Sequence, residues 1–153
     1  MKETIYAAHW EGPIEWVAVN DYQAEEHVLY ALYGSHHLYG RDVLLYIGRT
    51  SGGITNRLRG HEKWVADEYD AIKVRFASVG LFNDWKDWEN GDRYPKASSS
   101  IVAGVEALLI HAHQPAYNSQ NTASLNQANG FRVINTGRIG HLLPEVSYLY
   151  YEE

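Results

Sequence analysis

Four side chains in the first half of the chain are candidates to act together on a phosphate group. Tyr30 and Tyr46 each lie in a short apolar segment, and Arg57 and His61 follow in a basic segment. Arg57 and His61 are four residues apart, so on a helix they share one face. A phenol hydroxyl, a guanidinium and an imidazole in one place are typical of phosphate chemistry rather than of a hydrophobic core.

A carboxylate further along the chain, Glu106, is expected to need a partner. Residues 101–113 predict a helix, because their apolar side chains recur on one arc at about 100° per residue. Glu106 lies at the edge of that arc, so its carboxylate should be partly buried and needs a partner. An arginine that flanks the core would be such a partner.

The elements that must position these side chains are short strands and two helices. Apolar runs and alternation predict strands over residues 28–34, 43–48 and 71–79, the first two as a hairpin. Helices are expected over residues 54–66 and 101–113, the second capped by Ser98–Ser100. Shorter strands are expected over residues 4–8, 16–20, 131–135 and 146–151, with a turn at Gly12-Pro13 between the first two.

Length and composition indicate a single domain, residues 1–153, that is long enough for a real core. No run of 18 apolar residues is present, so no membrane span is expected. The N-terminus lacks the apolar stretch of a signal peptide. The absence of cysteine is compatible with a reducing compartment, and we expect a cytoplasmic protein.

The charge distribution bears on nucleic acid as a partner. A net charge of −6 argues against a protein that coats nucleic acid nonspecifically. Positive charge is nevertheless concentrated in residues 41–63, where five Lys or Arg residues stand against two acids. A local basic segment in an acidic protein can still bind a backbone phosphate, with modest affinity and strong salt dependence.

Two tripeptides and four later residues together resemble the GIY-YIG nuclease domain, and the resemblance spans roughly residues 27–118. The residues that carry it, in chain order, are Val28-Leu29-Tyr30, Tyr46-Ile47-Gly48, Arg57, His61, Glu106 and Asn118. The second motif is intact, whereas Val28-Leu29 stands where the first motif has Gly-Ile. The resemblance implies an α/β (α+β) fold: a small three-stranded antiparallel sheet flanked by helices, here with extra terminal segments.

The same resemblance implies a role for each charged residue. Glu106 would bind one divalent metal ion, Mg²⁺, for which Mn²⁺ can substitute, and a single carboxylate suits Mg²⁺ because this ion keeps several waters. Bound there, the ion would stabilise the leaving 3′-oxygen as a Lewis acid. Arg57 would hold the scissile phosphate, where negative charge develops in the transition state.

The remaining family positions would handle the attacking water. Tyr30 and Tyr46 would flank it, with Tyr30 as the better candidate for general base because a nearby arginine and metal favour its phenolate. His61 is the alternative base or a relay for the proton, since an ordinary histidine titrates near neutral pH. Asn118 would orient the site by hydrogen bonds.

The expected function is therefore metal-dependent endonucleolytic cleavage of DNA. The spacing of Arg57 from His61 and of Glu106 from Asn118, with the extra terminal segments, resembles type II restriction enzymes more than the minimal domain. Such enzymes commonly act as homodimers on palindromic sites. The alternative is a non-catalytic module that binds nucleic acid or protein, which the acidic charge would suit.

Overall fold

The computed structural model describes residues 2–16, 18, 28–50, 61, 65, 71–86, 97–118 and 125–151. Its extended elements and its α-helix are, in chain order, β1 (Thr4–Glu15), β2 (Leu29–His36), β3 (Gly40–Arg49), β4 (Lys73–Leu81), α1 (Ser99–His113), β5 (Phe131–Gly137) and β6 (Glu145–Ser147). Two short 3-10 turns, Asn126–Ala128 and Tyr148–Tyr151, precede β5 and follow β6. None of the helices in these ranges is long and apolar enough to cross a membrane.

The six strands form one mixed sheet in the order β3-β2-β4-β1-β5-β6. β1 and β5 run parallel, and the other neighbours pair antiparallel. The expected three-stranded sheet flanked by helices is wrong. Its three strands do lie side by side as β3, β2 and β4. β1 pairs with β4, and β5 and β6 continue the sheet from β1, so the number of strands is twice that expected. α1 is the α-helix whose residues are all described.

The terminal strands also differ in detail from the expectation. β1 is one continuous strand through Gly12-Pro13, where a turn between two strands was predicted. The chain passes this point by a bulge between Glu11 and Ile14. Gly12 is required there, because it has a φ of +101° and a Cβ on it would lie 2.8 Å from the Val74 carbonyl oxygen. Near the C-terminus, the predicted strand 146–151 ends at Ser147, after which the chain turns.

The sheet separates two cores. Strand alternation sends odd-numbered residues of β2 to one face and even-numbered residues to the other. α1 packs on the odd face, against a cluster that includes Leu29, Ala31, Ile47 and Ala77. The even face buries a second cluster of six side chains: Tyr30, Leu32, Leu45, Ile72, Val74 and Phe76.

The residues that follow α1 lie along the edge of the sheet. Ser98 caps α1 by accepting the Ile101 N–H, and Gln114 ends the helix in a left-handed conformation. The next residues then follow the outer edge of β3, because the N–H groups of residues 116 and 117 donate to the carbonyls of Leu44 and Leu45. The predicted helix 101–113 is thus present, with its start two residues earlier.

Candidate functional site

Three of the predicted site residues are in contact on the face of the sheet away from α1. The hydroxyl oxygen of Tyr30 lies 2.8 Å from Nε2 of His61. The Tyr46 ring centroid lies 6.0 Å from that of Tyr30 and 4.6 Å from that of His61. Tyr30 has no exposed surface, whereas Tyr46 and His61 are half-buried. We refer to these three side chains as the phenol–imidazole cluster.

The register of β2 and β3 builds this cluster. Tyr30 pairs with Gly48, and Leu32 pairs with Tyr46, so both tyrosines point to the same face. A Cβ at position 48 would overlap the Cζ and hydroxyl oxygen of Tyr30. The glycine of the second motif therefore has a steric reason, because it leaves the space that the Tyr30 ring occupies.

Asn118 holds the segment after α1 against the strand that carries Tyr46. Its Oδ1 accepts the Ile47 N–H at 2.9 Å, and its Nδ2 donates to the Ile47 carbonyl, also at 2.9 Å. The side-chain amide thus pairs with β3 as a neighbouring strand residue would. Loss of this amide would loosen β3 directly beside Tyr46.

Glu106 approaches from the opposite face. It is a buried carboxylate, 8% exposed, on the side of the sheet that carries α1. Its Oε1 lies 3.6 Å from Nε of Arg49, whose side chain is 47% exposed. Of the two partners considered for this carboxylate, a metal ion and an arginine, the described residues show the arginine, which belongs to β3.

Neighbouring residues at one end of β3 belong to opposite faces of the sheet. Arg49 pairs with Leu29, one register position beyond the pair of Tyr30 and Gly48. The phenol–imidazole cluster therefore lies on one face at this end of β3, and the contact of Glu106 with Arg49 lies on the other.

Tyr33 shows what a structural tyrosine on the same strand looks like. It is as deeply buried as Tyr30, but it lies on the face of α1, with the Arg75 guanidinium 5.3 Å from its ring centroid. Burial raises the pKa of Tyr33 to about 12, so its hydroxyl stays protonated. Tyr30 differs because its hydroxyl contacts a titratable side chain.

Arg57 lies outside the described residues, as does the predicted helix 54–66 apart from His61 and Val65. The described structure therefore brings together Tyr30, Tyr46 and His61, ties Asn118 to the strand of Tyr46, and pairs Glu106 with Arg49.

The chain matches no protein-family model, no curated protein and no solved structure.

Sequence reasoning missed two residues at this end of β3. Gly48 was recognised as part of a motif but not as the space for Tyr30, and Arg49 was not singled out at all. One signal was present: strand alternation places Gly48 on the same face as Tyr46 and points the next residue, Arg49, to the other face. A charged residue at position 49 can therefore contact a carboxylate of α1.

The chemistry of Glu106 fits a magnesium ion. The described residues hold no group of three or more metal-ligating side chains, so an ion here would take one carboxylate and keep several waters, as Mg²⁺ commonly does. The 3.6 Å separation from Arg49 is a charge contact longer than a hydrogen bond. Since nearly half of the Arg49 side chain is exposed, its guanidinium can turn toward solvent or toward a phosphate.

Proposed function

We propose that this protein is a metal-dependent DNA endonuclease that hydrolyses phosphodiester bonds with the chemistry of the GIY-YIG nucleases. The observation that carries the proposal is the 2.8 Å contact between the Tyr30 hydroxyl and His61, with Tyr46 packed against both. Water activation needs a proton acceptor that is held in one orientation, and this cluster provides one. The absence of cysteine favours a cytoplasmic site of action.

Tyr30 and His61 act as a unit in this proposal. When His61 donates Nε2–H to the Tyr30 oxygen, its Nδ1 becomes the proton acceptor of the imidazole. His61 is half-buried and Tyr30 is not exposed, so His61 is the member that takes the proton of the attacking water. Tyr30 then orients the imidazole, and the half-buried Tyr46 borders the water.

The charged residues serve the phosphate. Arg57 and the exposed guanidinium of Arg49 would neutralise negative charge on the scissile phosphate. Glu106 would hold Mg²⁺ or Mn²⁺ by its carboxylate. When bound, this ion supplies Lewis-acid stabilisation of the leaving oxygen. Asn118 keeps β3, and with it Tyr46, in place.

A plasmid-nicking assay tests the proposal. The wild-type protein should cleave supercoiled DNA with Mg²⁺ or Mn²⁺, and Glu106→Ala and Arg57→Ala should not. Thermal melts of each variant establish that it is folded. Binding without cleavage by all three proteins would contradict the proposal.

The cluster itself is tested by a matched pair of tyrosine variants. Tyr30→Phe removes one hydroxyl at the His61 contact, and Tyr33→Phe removes one from an equally buried tyrosine of the same strand. We expect Tyr30→Phe to slow cleavage by about 100-fold and to shift the pH profile of the rate, because His61 loses its partner. Tyr33→Phe should leave both unchanged. Equal rates for the two variants would remove the cluster from the mechanism.

One observation favours the second candidate, a non-catalytic module that binds nucleic acid or protein. The contact with Arg49 already accounts for a buried carboxylate at position 106, without any metal ion. In a module of this kind, Glu106→Ala would lower the free energy of unfolding and leave DNA or protein binding intact. In the nuclease it would abolish cleavage and leave DNA binding intact.

Within the endonuclease proposal, a type II restriction enzyme that acts as a homodimer is the member we favour. The proposal rests on the residue spacings and the extra terminal strands, which enlarge the sheet well beyond the three strands β3, β2 and β4. Digestion of a defined DNA followed by sequencing of the ends would show a single palindromic site. Ends scattered over the sequence would contradict this assignment.

A further inference from the structure

The turn between β2 and β3 exposes aromatic and aliphatic side chains that the proposed reaction does not use. Leu38 is 75% exposed and Tyr39 is 69% exposed, the two highest values among the exposed large hydrophobic residues described. Both lie at the tip of the hairpin that carries Tyr30 and Tyr46. Exposed apolar side chains grouped in this way commonly mark an interaction surface.

The rings at this tip are stacked on one another. The His36 ring lies nearly parallel to those of His37 and Tyr39, with centroid distances of 4.7 and 4.5 Å and interplanar angles of 20° and 19°. Tyr117, which follows α1, adds a fourth ring 5.8 Å from His36. We name these four side chains the aromatic stack.

The backbone holds the stack in a single arrangement. Nδ1 of His36 accepts the N–H groups of Leu38 at 3.1 Å and of Tyr39 at 3.3 Å, which closes the turn around the imidazole. Gly40 then reverses the chain with a φ of +93°. A turn closed by these two hydrogen bonds would present its rings to a partner at a smaller cost in conformational entropy than an open loop.

We propose that the aromatic stack binds DNA by stacking on a nucleobase, with Tyr39 as the contacting ring and Leu38 as a wedge beside it. The inference rests on the proposed function, since it assigns a second contact on the same substrate. His36 follows Tyr30 by six residues on β2, which places the stack about 20 Å from the phenol–imidazole cluster at roughly 3.3 Å per residue. That span is about six base steps of a duplex, at roughly 3.4 Å per step.

The shape and charge of the tip favour a base over a protein surface. Parallel rings at this spacing extend naturally by one more flat ring, and base–aromatic stacking tolerates any sequence. An exposed apolar side chain at the tip of a narrow hairpin can enter between base pairs and open a step. Arg41, exposed two residues beyond Tyr39, adds positive charge toward the backbone phosphate.

The test is a binding experiment under conditions that prevent cleavage. The full chain is titrated, with Ca²⁺ in place of Mg²⁺, onto a set of duplexes labelled for fluorescence anisotropy, each carrying 2-aminopurine at a different position. Tyr39→Ala is compared with Tyr39→Phe, which keeps the ring. The matched control is Tyr150→Ala, another exposed tyrosine, located beyond β6 at the other side of the sheet.

We expect Tyr39→Ala to weaken binding about 10-fold or more and to abolish the change in 2-aminopurine fluorescence. Tyr39→Phe and Tyr150→Ala should bind like the wild type. Equal affinities for Tyr39→Ala and Tyr150→Ala would overturn the inference. The nuclease proposal would still stand if both variants cleave DNA with Mg²⁺. If Tyr39→Ala abolishes a dimer seen in sedimentation of the wild type, and the wild type itself gives no change in 2-aminopurine fluorescence, the inference is overturned. The aromatic stack would then be a contact between two copies of the chain. Stacking by a wild type that never cleaves would support the inference and refute the nuclease.

Discussion

The protein contains two glutamate–arginine pairs in opposite halves of the sheet, and the two are held in different ways. One pair is Glu106 with Arg49, and the other is Glu3 with Arg132. In the second pair, Nε of Arg132 donates to Oε2 of Glu3 at 2.8 Å, and the Ser147 hydroxyl donates to Oε1. Arg132 also pairs with Glu145 of β6. In the first pair, Oε1 of Glu106 lies 3.6 Å from Nε of Arg49, an arginine that is nearly half exposed.

The Glu3 pair has the features of a structural ion pair. The hydrogen bond from Ser147, followed by Arg132, lowers the pKa of Glu3, and the hydrogen bond to Glu3 raises the pKa of Arg132. Both charged forms are thus stabilised by several short contacts that join the segment before β1 to β5 and β6. The looser Glu106 pair leaves its arginine accessible to a ligand, which is what a binding site requires.

The largest expected effect separates the two carboxylates by activity. Glu106→Gln keeps the size of the side chain but removes the charge that would hold a metal ion, so Mg²⁺-dependent cleavage should fall by at least about 100-fold. Glu3→Gln should leave cleavage per folded molecule within about twofold. Rates of plasmid nicking at saturating Mg²⁺ measure both. Full activity of Glu106→Gln would show that both pairs are structural.

The next effect separates the two arginines by stability. Arg132→Ala leaves Glu3 without its hydrogen-bonded partner and should lower the free energy of unfolding by about 2 kcal/mol. Arg49→Ala removes a longer contact made by an arginine that is nearly half exposed, and should lower it by less than Arg132→Ala does. Urea titrations of both variants and of the wild type provide the comparison. The reverse order would make the Arg49 pair the structural one.

The smallest effect is a dependence of stability on pH. Because the folded state lowers the pKa of Glu3, the ionised carboxylate stabilises the fold above its unfolded pKa of about 4.5. That contribution is lost as pH falls through the lower, folded value. Wild-type stability should therefore decrease between about pH 5 and pH 3 more steeply than that of Glu3→Gln, as followed by thermal melting. Parallel curves would mean that Glu3 does not contribute through its charge.

Local patterns predicted several strands and the helix α1 correctly. The apolar runs at 28–34 and 43–48 and the segment at 71–79 are present as β2, β3 and β4. β2 is buried on both faces, which is why its sequence is a continuous apolar run rather than an alternation. The arc of apolar residues and the serine cap before residue 101 predicted α1. These signals need only the nearest neighbours along the chain.

The size of the sheet could not be predicted in the same way. β1 pairs with β4 and β5 across 58 or more residues of sequence (Glu15 with Lys73 is the shortest separation), and nothing in residues 4–15 specifies those partners. The turn predicted at Gly12-Pro13 was wrong, because the same dipeptide is compatible with a turn and with a bulge inside a strand. The added strands are what made the expected three-stranded fold wrong.

For the candidate site, the sequence by itself determined which reactive groups exist and in which order they occur. It also indicated that Glu106 needs a charged partner, because the periodicity of an amphipathic helix shows which residues are buried. Only the tertiary structure decided that Tyr30 meets His61, that Gly48 makes room for the ring, and that Arg49 is the partner of Glu106. These contacts depend on strand register and on the face from which α1 packs. Both are decided by burial over the whole sheet, which no single segment encodes.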